Sequence, residues 1–184
     1  MRCKSDVLAY ILSFHAYVST QFQLPIISFQ SYNGKEFDNH ALHVHFAAHG
    51  IVFRLSCPYT SSQNVPIRTL NDYVRSLLLH AGMPPSFWVK ALAMATHLLN
   101  RHPSQATAFQ MPFQCLLGAP PTYDHLRVFG CLCFLNLAAT MPHKLAARST
   151  ACVLLGYPTD HHGYWCLDLD TRRVITSHHV TESI

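Results

Sequence analysis

Pro25-Ile-Ile-Ser-Phe-Gln-Ser-Tyr-Asn-Gly-Lys-Glu-Phe37, running on through Asp38 and a histidine-rich apolar stretch to His49-Gly50, is the passage on which the fold turns. Residues 25–29 are β-branched and aromatic enough for a strand, Ser31-Tyr-Asn-Gly34 is a turn signal, and Asp38 is placed to cap a helix that stops at Gly50. Ile51-Val-Phe-Arg-Leu55 then reads as a second strand. Strand, helix and strand in that order predict an α/β unit.

Working outward, Val7, Leu8, Ile11, Leu12, Val18 and Phe22 recur at the helical period behind Ser5, a candidate N-cap. Met1-Arg-Cys-Lys4 and the apolar residues after it imitate a secretory signal, but Asp6, His15 and the helical spacing point to a helix packed on a core. On the other side, a loop rich in Pro, Ser, Thr, Gln and Asn covers 57–66. Ile67, Leu70, Val74, Leu77, Leu78 and Ala81 then mark a helix stopped by Gly82-Met-Pro-Pro85. Trp88, Leu92, Ala95, Leu98 and Leu99 mark another, ending near Asn100-Arg-His-Pro103.

Beyond Pro120-Pro121 the period changes from 3.6 to 2. Strand-like runs follow at 128–135, 151–156, 163–169 and 173–176, with Asp168-Leu-Asp-Thr-Arg172 as a hairpin connection. The expected division is therefore 1–120 and 121–184, the second part being a small barrel-like β unit.

Apolar residues make up 49% of the 184 and charged residues 12%, which excludes a disordered polar tail and predicts a greasy surface prone to self-association. A formal charge of +4, with 14 histidines in reserve, is compatible with a polyanionic partner without demanding one. The seven cysteines (Cys3, Cys57, Cys115, Cys131, Cys133, Cys152 and Cys166) are scattered, so reduced and mostly buried thiols are expected, with Cys131 and Cys133 on one strand face. Adjacent histidines at His161/His162 and His178/His179 point apart in a strand or turn, so no metal site is assigned to them. Every long apolar run is broken by His, Arg or Pro, so neither a bilayer span nor a membrane partner is expected.

Several blocks occur in order: Phe29-Gln-Ser-Tyr-Asn-Gly-Lys-Glu-Phe37, His49-Gly50, Leu55-Ser-Cys-Pro-Tyr-Thr-Ser-Ser-Gln-Asn64, Phe87-Trp88 with Leu98-Leu-Asn-Arg101, and His125-Leu-Arg-Val-Phe-Gly-Cys131. Asp124, Lys144-Leu145, Leu155-Gly-Tyr157 and Gly163-Tyr164 continue the series. Together they resemble the integrase region of copia-type retrotransposon polyproteins over nearly the whole chain. The resemblance implies a truncated ribonuclease H-like core followed by a small SH3-like β-barrel, a role in DNA integration, and a nuclear location if that role persists. In that family three acidic residues hold two divalent ions, Mg²⁺ in nature, that stabilise the attacking and leaving oxygens of a phosphodiester exchange.

None of the three acids is expected here. The resemblance places the first on a strand upstream of the 7–22 helix, before the first residue of this sequence. The second corresponds to Tyr32, with Asn33, Gly34, Glu36 and Phe37 retained around it, and a neutral phenol is no substitute for a carboxylate. The third belongs to a Gly-x-Ala-Glu-Arg stretch that would follow Gln63-Asn64, where Val65-Pro-Ile-Arg68 stands instead. Tyr32, Asn33, Gly34, Glu36 and Asn64 are thus vestigial active-site positions with no resident Mg²⁺ expected. Lys35, Arg54, Arg68, Arg75 and Arg101 flank the former active-site edge as candidate phosphate contacts for weak, sequence-independent nucleic-acid binding. A structural or protein-interaction module, or the product of a decayed gene with no selected function, is the alternative.

Overall fold

The computed structural model describes residues 3–57, 65–136, 149–158, 162–178 and 180–182. The chain forms two compact units, Met1–Arg68 and Thr69–Ile184.

The first unit opens with a 3₁₀ turn, Lys4–Asp6, that runs into helix α1, Val7–Phe22. The residue at the α-helical N-cap is Asp6 in place of the expected Ser5, and its carboxylate turns back to accept the Cys3 N–H at 3.0 Å. Only Val7 and Ile11 of α1 are buried, a narrower face than the periodicity predicts, and Leu12 is exposed.

Strand β1, Ser28–Ser31, leads through the turn into helix α2, His40–Ala48, and strand β2, Val52–Leu55, returns parallel to β1 with Ser28 opposite Val52 and Ser31 opposite Leu55. A parallel return needs a crossover, and α2 supplies it. The cap of α2 is Asn39, not Asp38. Asn39 is extended, which aims its side-chain oxygen at the Leu42 N–H (3.0 Å), whereas Asp38 is drawn to the His43 ring at 2.8 Å. Leu42, Phe46 and Ile51 join Val7 and Ile11 in the core, with Phe29 stacked on Phe46 at 5.2 Å and Phe53 5.2 Å from Phe46 and 6.2 Å from Phe29, so that the three rings meet as a cluster.

In the second unit, helices α3 (Val65–His80, whose first residues still lie in the first unit), α4 (Trp88–Leu99) and α5 (Pro112–Leu117) precede a five-stranded antiparallel sheet. Its strands are β3 (Leu132–Asn136), β4 (Ser149–Gly156), β5 (Tyr164–Asp168), β6 (Val174–Ser177) and β7 (Val180–Glu182), in the order β6-β5-β4-β3-β7. Ala91 and Met94 of α4 pack with Phe129, and Val74, Leu77 and Leu78 of α3 join them. The change of period at Pro120-Pro121 marks where helices give way to strands, but the compact unit reaches back to Thr69, because α3 and α4 have their apolar faces on the segment that enters the sheet.

The sheet is open among the described residues: β6 and β7 are its two edges and do not pair with each other, so a closed barrel is not formed. β3 begins at Leu132, later than expected, because Gly130 and Cys131 bond to the backbone of Leu154 as an irregular lead-in. The hairpin at 168–172 is as expected, with the Asp168 carboxylate accepting the N–H groups of Asp170 and Thr171. Those bonds hold its pKa below the ordinary carboxylate range.

Cys133, Cys152 and Cys166 form the centre of the sheet core, and burial pushes the Cys152 thiol up to about 11. Cys131 is half-buried, whereas Cys3, Cys57 and Cys115 are exposed, against the expectation of mostly buried thiols. Lys144-Leu145, His161 and His179 lie outside the described residues. No helix among the described residues is long and apolar enough to cross a membrane.

Candidate functional site

Parallel strands end on the same side, and in open α/β sheets that carboxyl edge is where ligands bind. Here the edge is made by Ser31-Tyr32-Asn33 leaving β1 and Ser56-Cys57 leaving β2, tied together because the Ser56 N–H and hydroxyl both donate to the Ser31 carbonyl, at 3.0 and 3.2 Å. Tyr32 is therefore held at the end of a strand, 47% exposed. Asn33 and Lys35 are exposed beside it.

Gly34 folds the segment back. Its carbonyl accepts the N–H groups of Phe37 and Asp38, and its N–H donates to the Tyr32 carbonyl at 2.8 Å. The Glu36 carboxylate lies directly over Gly34, where a Cβ would meet it at 2.8 Å. Glu36 is ion-paired to Lys4 at 3.4 Å, and its pKa falls below the ordinary carboxylate range, first through its own backbone N–H and then through Lys4. Asp38 is engaged with His43. The two carboxylates nearest Tyr32 in sequence are thus each turned to a basic partner.

Of the other predicted positions, Asn64 lies outside the described residues. Arg54 on β2 and Arg68 in the first turns of α3 are exposed in or at the end of the first unit, and the first turn of α3 carries no acidic residue. Arg75 is exposed on α3 in the second unit. Arg101 is different: it is half-buried, donates to the His97 carbonyl at 3.1 Å and lies over the Phe113 ring. Burial works against its charge, and its Nε has no hydrogen-bond partner among the described residues.

Arg101 lines a cleft of about 470 Å³ with His97, His125, Tyr157 and Tyr164. His97 stacks on Tyr157 at 4.5 Å, and burial, with Arg101 and His125 nearby, pushes its pKa down to about 4. The Tyr157 hydroxyl accepts the Arg127 N–H at 2.7 Å and donates to the His125 carbonyl, so the His125-Leu-Arg-Val-Phe-Gly block is held to the sheet by named bonds.

One grouping escapes the reading of the sequence. His15 of α1 and His45 and His49 of α2's last turn and C-cap each bring a ring nitrogen within 4.8 Å of the other two. The spacing of His45 and His49, four apart and so on one helix face, is the available signal. His15, 30 residues away, joins them only through the packing of α1 on α2.

Residues 131–182, from the lead-in of β3 to the end of β7, match the family model for a retroviral polymerase SH3-like domain. Over 98% of its length the chain is 38% identical to the retrovirus-related Pol polyprotein from transposon RE1 of Arabidopsis thaliana. The chain is homologous to copia-type retrotransposon Pol polyproteins. A further relative, the retrovirus-related Pol polyprotein from transposon TNT 1-94 of Nicotiana tabacum, is 32% identical over the same share of the chain. The chain spans 12% of the length of the Arabidopsis polyprotein and 14% of the tobacco one. Among solved structures, a chain from a simian T-cell lymphotropic virus intasome in complex with PP2A regulatory subunit B56 gamma aligns at a TM-score of 0.40 and 11% identity, covering all of this chain and 67% of that one.

Proposed function

We propose that this retroelement-derived chain is a remnant of an integrase region in which catalysis is lost and weak, non-specific nucleic-acid binding is what remains. The observation that carries the reading is the state of the β1 edge. A phenol stands at the strand end where the resemblance calls for an acid, and Glu36 and Asp38 are turned to Lys4 and His43. Two Mg²⁺ ions require several carboxylate oxygens converging on one point, and this donor set does not fit them. The exposed Lys35, Arg54, Arg68 and Arg75 supply the positive charge for phosphate contact.

The test is a strand-transfer and end-processing assay on retroelement DNA ends with Mg²⁺ or Mn²⁺. No product is expected from the chain or from Tyr32→Asp, since one added carboxylate cannot hold two ions. Metal-dependent cleavage that disappears in Glu36→Gln would overturn the reading, because it would reveal a rebuilt site around Glu36.

A second reading, a protein-interaction module, has its own observation. Tyr10, Phe14 and Tyr17 lie at helical spacing on α1 and are each more than half exposed, an apolar stripe suited to association with protein, including a second copy of this chain.

A further inference from the structure

We propose that His15, His45 and His49 form a binding site for one zinc-class divalent ion that clips α1 to α2 in the first unit, independent of the nucleic-acid reading. Three features of the geometry lead there. First, the His45 Nε2 and His15 Nδ1 atoms are 3.2 Å apart, and two nitrogens bound at about 2.0–2.1 Å in a tetrahedron stand about 3.3 Å apart. All three ligand nitrogens lie within 4.8 Å of one another.

Second, His49 Nδ1 lies 2.8 Å from the His45 carbonyl. Donating its N–H there fixes the tautomer and leaves Nε2 with its lone pair, the arrangement by which backbone carbonyls orient metal-bound histidines. Third, the rings line an open cleft of about 490 Å³ with Leu12, Ser19 and Ile26, so a solvent molecule can take the fourth position. The Ser19 hydroxyl is engaged with the His15 carbonyl and is not offered as a ligand.

The ligand chemistry selects the ion. Three imidazoles and no carboxylate suit zinc, copper, nickel or cobalt and disfavour the hard Mg²⁺ of the integrase reaction. This site is therefore not a displaced version of the lost one. Its consequence is mechanical: the ion would cross-link the helix that precedes β1 to the helix that connects β1 with β2.

The full chain, stripped with chelator, is titrated with Co²⁺ and then with competing Zn²⁺. We expect a tetrahedral cobalt spectrum without a sulfur charge-transfer band, displaced by Zn²⁺, and a melting temperature raised by Zn²⁺. His15→Gln and the exposed His49→Gln should each weaken this binding at least tenfold and abolish the thermal shift, while His102→Gln, at an exposed histidine elsewhere, leaves both unchanged. The metal-free melting temperatures of the variants separate lost ligation from lost folding, and His49→Gln, altering an exposed ring, keeps the test open if His15→Gln unfolds. Cobalt binding equal in wild type and His49→Gln, a sulfur-dominated spectrum, or an equal loss in His102→Gln would overturn the proposal.

Discussion

His97 shows how far a single residue departs from what its type suggests. An imidazole on a helix, four residues before an arginine, looks like a surface group, yet here it is stacked on Tyr157, its Nε2 has no hydrogen-bond partner among the described residues, and Arg101 and His125 oppose its protonation. Its folded pKa, about 4, lies below the value near 6.5 expected in the unfolded chain. Between those values the unfolded state binds a proton that the folded state refuses, so stability falls as pH drops from about 6.5 toward 4 and is unaffected above. In a fully buried group each pH unit separating the two values would contribute about 1.4 kcal/mol, and solvent screening of this half-buried ring reduces that. Urea midpoints at pH 7 and pH 5 check this. The loss on acidification should shrink in His97→Phe, which keeps the stack on Tyr157 and cannot titrate; an undiminished loss would assign the acid sensitivity to other groups, His125 of the same cleft among them.

At the scale of elements, periodicity is legible in the sequence and partner choice is not. The helices 7–22 and 65–80 and the strands at 149–156 and 164–168 fall within two residues of where apolar spacing and turn residues put them, the helix at 65–80 taking in the last two residues of the expected 57–66 loop, because those signals are local. Asp38 has the look of a cap, but its competing bond to His43 depends on a side chain five residues on. Strand β7 leaves no signal: three residues are too few for a period, and its place beside β3 is set by tertiary pairing. At the site, Tyr32 is legible as a strand-end residue, whereas the ties of Glu36 to Lys4 and of Arg101 to Phe113 join segments that sequence spacing does not connect.

Gly130 sits against the residue that follows α3 with no room for a side chain. Its φ of +81° is left-handed, and a Cβ there would overlap that of Ala81, just after α3. Gly130→Ala should therefore cost about 2–3 kcal/mol, part from overpacking and part from the left-handed backbone. Combining it with Ala81→Gly should restore only the overpacking share, so a double-mutant cycle read by urea unfolding should show favourable coupling on the order of 1 kcal/mol. Strictly additive losses would mean that the approach of Gly130 to the end of α3 is not close in solution.

The whole molecule is a weak electrostatic object, and that limits what nucleic-acid binding can look like. Thirteen basic and nine acidic residues leave +4, and of the five cations singled out in the sequence, Arg101 is half-buried while Lys35, Arg54, Arg68 and Arg75 are exposed. If each of those four neutralises one phosphate, the slope of log affinity against log salt can be no steeper than about −4, with a dissociation constant on the order of 10⁻⁴ to 10⁻⁶ M at physiological salt. Substituting Lys35, Arg54 and Arg75 by Gln should weaken binding equally on unrelated duplexes and flatten the slope, because phosphate contacts position a protein without reading bases. Fluorescence anisotropy over a salt series measures both quantities. Absence of binding at low salt would remove the nucleic-acid half of the proposed function and favour the interaction module, with its exposed stripe on α1; a strong sequence preference would require base-reading side chains beyond these four cations.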